Sequence, residues 1–249
     1  MLIQKENKIG EVVASNFRTA EVFEKLGLDF CCGGKKTIEN ACLEKALNTE
    51  SVLNELSKVT ERSAGGQHFE TWEPDFLIDY IVSNHHAYVI NSASSIAHHM
   101  DKVVLAHGIR HPELSEIRSI FNSLREELLS HMQKEEKMLF PFIKKMMMAK
   151  NNSFEMTSAP FGAIENPLGV MESEHQLAGK MMDEISIMSS NFTPPANACG
   201  TYKVVFQELK EFETDLHLHI HLENNILFPK AIKIANELKT SSGITDNRI

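Results

Sequence analysis

Two stretches of this 249-residue chain repeat one pattern 88 residues apart. The first is Leu128-Leu-Ser-His131-Met-Gln-Lys-Glu135-Glu-Lys-Met-Leu139-Phe-Pro141. The second is Leu216-His-Leu-His219-Ile-His-Leu-Glu223-Asn-Asn-Ile-Leu227-Phe-Pro229. Both read L-x-x-H-x-x-x-E-x-x-x-L-F-P. Residues i and i+4 share one face of a helix, so His131 points with Glu135 and His219 with Glu223. Leu124, Leu128, Met138 and Leu139 flank the first pair, and Phe212, Leu216, Ile226 and Leu227 the second. Each pair therefore lies in an apolar stripe, where an unpaired carboxylate is costly to bury. Metal ions between two such sites would offset that cost.

The repeat sits in a helical frame. One long helix is predicted from about Pro74 to about Leu105, and a second from near Pro112, a proline suited to a first turn, toward Met148. Asn166-Pro167 opens a third, which ends before Thr-Pro-Pro195; a fourth runs from about Gly200 to about Leu238. Nothing reads as a strand. Long helices with short connections predict an all-α fold, an antiparallel four-helix bundle over residues 67–249, with the two repeats on diagonal helices. Residues 1–66 read as a separate small helical domain. Ile9, Val12, Val13, Phe17, Val22, Phe23 and Leu26 recur at helical intervals, and Gly27 is a stop signal. Thr37 and Thr49 are candidate caps for two further short helices. Ser63-Ala-Gly-Gly-Gln67 reads as a linker.

Charge narrows the function. The chain carries 25 Lys+Arg and 34 Asp+Glu, net −9. Residues 1–66 hold 9 basic and 10 acidic side chains, so neither part has the cationic surplus that nucleic-acid binding needs. No apolar run reaches the length of a membrane span, and the N-terminus lacks the apolar core of a signal peptide. A cytoplasmic protein that binds neither nucleic acid nor membrane is expected. The four cysteines, at 31, 32, 42 and 199, fit no disulfide framework or zinc-ribbon spacing.

All twelve histidines lie between His68 and His221. The third helix offers one, His175, on a face with Leu168, Met171, Ala178 and Met182. The first offers His85 and His86, which periodicity does not separate: Ile81 and Val89 flank His85, while Ile78, Val82 and Ile90 flank His86. His217 and His221 rival His219 on the fourth helix, and the match of Glu223 to Glu135 favours His219. His98, His99, His107 and His111 read as surface residues. Four imidazoles and two carboxylates exceed the four ligands of a structural zinc site. They suit two metals bridged by the glutamates, and mixed nitrogen and oxygen ligation suits iron or manganese.

The chain resembles the bacterial di-iron proteins that repair iron–sulfur centres after nitrosative or oxidative stress, haemerythrin-like bundles with an N-terminal Cys-Cys-Gly-Gly module. The resemblance covers nearly the whole length. It is carried by Leu28-Asp-Phe-Cys31-Cys32-Gly-Gly-Lys35, Ser130-His-Met-x-Lys-Glu-Glu136, Met171-Glu-Ser-Glu-His175 and His219-x-x-x-Glu-Asn-Asn-x-Leu-Phe-Pro229. It implies two iron ions, oxo- or hydroxo-bridged, held by His86, His131, Glu135, His175, His219 and Glu223, with both glutamates bridging. The resemblance is what selects His86 over His85. The oxygen-carrying haemerythrins have an extra histidine that this chain lacks, which implies a more open iron position here.

Cys31 and Cys32 precede Gly-Gly, and Lys35 and Lys36 would favour thiolate, a soft iron ligand. The pair is expected near the metal site, as a thiol relay or iron-transfer site. Cys42 and Cys199 read as inert core residues, and Met146-Met147-Met148 as packing. Glu127 and Asp215, each four residues before a ligand histidine, and Glu174 beside His175 are candidates to hydrogen-bond ligand imidazoles. The expected function is repair of damaged iron–sulfur clusters by supplying iron, with damaged iron–sulfur proteins as partners. The alternative is an enzyme that binds or reduces nitric oxide, or handles peroxide; a gas sensor is weakened by the lack of a DNA-binding module. Nitric oxide and oxygen are possible further partners, and a monomer or homodimer is expected.

Overall fold

The structure is a computed structural model that describes residues 3–61, 68–151 and 163–241. The linker expected at 63–67 and most of the loop before Asn166 lie outside these. Among the described residues there is no strand, only one antiparallel bridge between Lys8 and Thr37. Four short helices come first: α1 (Ile9–Ser15), α2 (Thr19–Lys25), α3 (Ile38–Glu44) and α4 (Thr49–Glu61). Helix α2 stops at Gly27, whose φ of +64° is one that glycine adopts freely. Thr37 caps α3 by accepting from Asn40 N at 3.2 Å. The cap of α4 is Asn48, not Thr49: its Oδ1 accepts from Ser51 N at 3.0 Å.

Four long helices follow a single turn at Phe69–Thr71. Helix α5 comprises Pro74–Tyr80, Ile81–His86 and Ala87–His107. Helix α6 comprises Glu113–Lys134, Glu135–Leu139 and Phe140–Lys150. Helix α7 is Glu165–Met188, and α8 comprises Gly200–Leu222, Glu223–Leu227 and Phe228–Ser241. In α5, α6 and α8 the middle segment is π-helical. Such widened turns are rare and concentrate at functional sites.

The repeat explains two of them. Pro141 and Pro229 lie inside their helices, where proline has no N–H to donate and its ring crowds the carbonyl four residues back. Just before each proline the ladder opens by one residue. Phe140 N–H donates to Glu135 O, and Phe228 N–H to Glu223 O, five residues back instead of four. Leu-Phe-Pro is thus a signature of a widened turn beginning at the glutamate.

The chain forms two compact units. The first draws on Met1–Ile78, Phe142–Leu168 and Leu218–Ile249. Its core includes Val13, Phe23, Ile38, Leu56, Ile143 and Leu227. The second draws on Asp79–Pro141 and Gly169–His217. Its core includes Ile96, Phe121, Leu124, Met182, Leu209 and Phe212, with Phe121 and Phe212 edge to face at 5.4 Å. Helices α5 and α7 begin in the first unit and end in the second, while α6 and α8 run the other way. That alternation is the connectivity of an antiparallel four-helix bundle.

Candidate metal centre

All six residues singled out as ligands are buried, none more than 2% exposed. They form two overlapping groups whose ligand atoms lie within 4.8 Å of one another. One is His86, Glu135, His219 and Glu223; the other is His131, Glu135, His175 and Glu223. The glutamates belong to both groups and the imidazoles divide between them. Glu135 shows why. Its Oε2 lies 3.4 Å from His86 Nε2, and its Oε1 lies 3.3 Å from His131 Nε2. One carboxylate thus turns a different oxygen to each of two imidazoles. On α8, His219 Nε2 lies 3.2 Å from Glu223 Oε1.

Hydrogen bonds set the rings for ligation. His131 Nδ1 meets Glu174 Oε2 at 2.7 Å, and His86 Nδ1 meets Glu136 Oε1 at 2.8 Å. A carboxylate only accepts, so the proton of each neutral ring resides on Nδ1 and Nε2 keeps its lone pair. His131 Nε2 and His175 Nε2 approach to 2.9 Å, as donor atoms converging on one ion do. Burial tends to raise the pKa of Glu174. Its hydrogen bonds from Lys134 and His131 nevertheless hold it below the ordinary carboxylate value. Two carboxylates buried together with four imidazoles concentrate negative charge in a low-dielectric interior, which bound cations would neutralise. This donor set fits a metal centre.

The widened turns decide what periodicity could not. In α5 both His85 and His86 are buried. His86 joins the cluster, while His85 Nδ1 pairs with Asp215 at 2.8 Å. In α6 the same widening turns Met138 outward, to 57% exposure, although a uniform helical period places it inside. Of the supporting carboxylates, Glu174 meets the His131 ring. Glu127 is exposed, and the His131 nitrogen it was expected to reach is held by Glu174. Asp215 serves His85, not His219. Glu136 went unnoticed in the sequence; its position directly after Glu135, within the widened turn, was the available signal. His221 is buried edge to face on Phe30 at 5.6 Å, and burial lowers its pKa to about 4, so it is a neutral packing residue. His217 is half-buried and outside both groups. His98 is exposed, whereas His99 is half-buried against Glu208. His107 and His111 pack on the buried Tyr202.

The cysteine turn is organised by Asp29. Its Oδ1 accepts from the N–H of Cys31 and of Cys32, each at 3.0 Å, and its Oδ2 from Gly33 N at 2.9 Å. The Cys31 thiol also donates to Oδ1 at 3.2 Å. The expected thiolate is not what this geometry favours at Cys31. A hydrogen bond with Cys32, burial and the Asp29 charge all push the Cys31 thiol well above its ordinary value. Lys36 is engaged with Glu44 at 2.6 Å. Cys32 is partly exposed and Cys42 is buried, but Cys199 is exposed rather than in the core. Of the methionine run, Met146 is buried and Met148 is half exposed.

Comparison with known proteins agrees with this architecture. Residues 77–231 match the model of the Hemerythrin HHE cation binding domain, and residues 5–60 match a domain of unknown function, DUF542. The iron–sulfur cluster repair protein YtfE of Enterobacter sp. (strain 638) is 35% identical over 228 residues, 92% of this chain and 97% of that protein. YtfE of Escherichia coli O157:H7 is 35% identical over 231 residues, with the same shares. The repair protein ScdA of Staphylococcus haemolyticus (strain JCSC1435) is 27% identical over 232 residues, 92% of this chain and 99% of that protein. The bundle is therefore a haemerythrin-type cation-binding domain, and the chain belongs to the family of the YtfE and ScdA proteins. No helix among the described residues is long and apolar enough to cross a membrane.

Proposed function

We propose that this chain holds two iron ions, with His86, His131, His175 and His219 as terminal ligands and Glu135 and Glu223 as bridges. On this reading it repairs iron–sulfur clusters damaged by oxidative or nitrosative stress, and the iron is its cargo. The observation that carries the proposal is Glu135, fully buried, with one oxygen toward each of two imidazoles. Mixed imidazole and carboxylate ligation suits iron. Glu136 and Glu174 hold the ring protons on Nδ1, so His86 and His131 keep Nε2 available as iron leaves and returns. The partly exposed Cys32, beside the buried Cys31, would receive the iron. Capture by these thiols displaces their protons, so the raised Cys31 thiol makes capture depend on the incoming metal. The names of the relatives supply the client class, damaged iron–sulfur proteins. Work in the cytoplasm, which keeps thiols reduced, suits four free cysteines.

Purified protein should contain two irons per chain. Glu135→Ala and His175→Ala should each lower that content while circular dichroism stays helical. Stoichiometric zinc without iron, or full iron content in both variants, would overturn the assignment.

A further inference from the structure

The two copies of the repeat carry different residues directly after the glutamate. Helix α6 continues Glu136-Lys137, and α8 continues Asn224-Asn225. Lys137 is exposed and donates to Gln133 on its own helix, at 3.2 Å. Asn225 does something different. Its Nδ2 donates to Cys31 O at 2.9 Å and to Phe30 O at 3.3 Å, and lies 3.3 Å from His221 Nδ1. Its Oδ1 occupies space that two glycines leave open. A Cβ on Gly10 would lie 2.4 Å from that oxygen, and one on Gly34 would lie 2.3 Å from it. Gly10 N–H donates to Gly34 O at 2.9 Å, closing the slot from behind.

We propose that Asn225 is the positioning residue of the Cys31–Cys32 turn. It seats in a slot made by Gly10 and Gly34 and keys that turn to the π-helical turn that carries Glu223. Two features converge on it: the hydrogen bonds to the cysteine-turn carbonyls and the two glycines whose open space its side chain fills. Asn225 and Glu223 share the segment Glu223–Leu227, so the thiols are placed by the helix turn that holds a candidate bridging ligand. The proposal rests on the iron-supply reading only for its consequence; the slot itself does not.

The test uses the full-length, iron-loaded protein and iodoacetamide as thiol probe. Asn225→Ala should raise the Cys32 alkylation rate roughly tenfold, the population shift that loss of two net hydrogen bonds produces, with iron content unchanged. Gly10→Ala should lower Tm, and Asn225→Ala should cancel most of that loss, because Gly34 O at 3.1 Å is the remaining close neighbour. The Gly10→Ala/Asn225→Ala protein should keep the fast alkylation, since packing returns without the hydrogen bonds. Wild-type alkylation in Asn225→Ala, or strictly additive Tm changes, would overturn the proposal. Coupled Tm changes and fast alkylation, in a protein that never gives up labelled iron, support the slot and sink iron supply instead. Labelled iron delivered equally by wild type and Asn225→Ala would overturn the positioning role while leaving iron supply standing.

Discussion

Glu127 directly precedes the first copy of the repeat and Glu174 lies 33 residues beyond it, yet Glu174 is the one that holds a ring. Glu174 fixes the His131 Nδ1 proton and pairs with Lys134. Carboxylates in this role tune metal affinity, and their loss typically weakens binding by about 10–100-fold. Glu174→Gln should show that loss in a chelator competition, and Glu127→Gln should not; equal behaviour would contradict the assignment. Cys31 gives a second test at this scale. Its thiol is held protonated, so folding favours the neutral form. The stability this contributes is present below the ordinary thiol pKa and is lost as pH rises toward the higher folded value. Alkylation of Cys31 in the native protein should therefore lag an unfolded control at pH 8, read by mass spectrometry, because less of the folded thiol is ionised. Equal rates would show that the hydrogen bond with Cys32, burial and the Asp29 charge do not hold this thiol protonated.

The widened turns are where element-scale reasoning and local periodicity part. Ile81 and Val89 are buried and Ile90 is half exposed, so the apolar stripe of α5 follows His85. Yet His86 is the residue in the metal-type cluster. A uniform 3.6-residue period cannot give both; one added residue in the turn does. The two His-x-x-x-Glu pairs were legible because i,i+4 spacing survives up to the glutamate, where the widening begins. Met138 misled because it lies beyond that point. Pro141 and Pro229 are the sequence marks of the widening. Replacing both by Ala restores an N–H at each position and should regularise the ladder. Helicity should be kept or gained while metal content falls. Unchanged metal content would show that the prolines do not set these turns.

Over the whole molecule, the four long helices and their order were readable from caps, prolines and apolar spacing, whereas the single run expected from Ile9 to Leu26 is split into α1 and α2. The seating of the cysteine turn was not. It depends on Asn225 meeting Gly10 and Gly34, contacts between residues about 190 and 215 positions apart that no local pattern encodes. Glu135 and Glu223 are fully buried, so emptying the centre should destabilise the fold. Binding at a thousandfold excess over Kd contributes about 4 kcal/mol, so a chelator should lower Tm by on the order of 10 °C. No shift would contradict a metal held by these residues.

The central claim is that iron bound at this centre enters damaged clusters. It is tested most directly by mixing protein loaded with isotopically labelled iron with a cluster enzyme inactivated by nitric oxide. The account predicts recovered activity with label in the rebuilt cluster, and loss of both in Cys31→Ala/Cys32→Ala protein that still binds iron. Recovery without label, accompanied by consumption of nitric oxide, would contradict it and point to an enzyme acting on the gas.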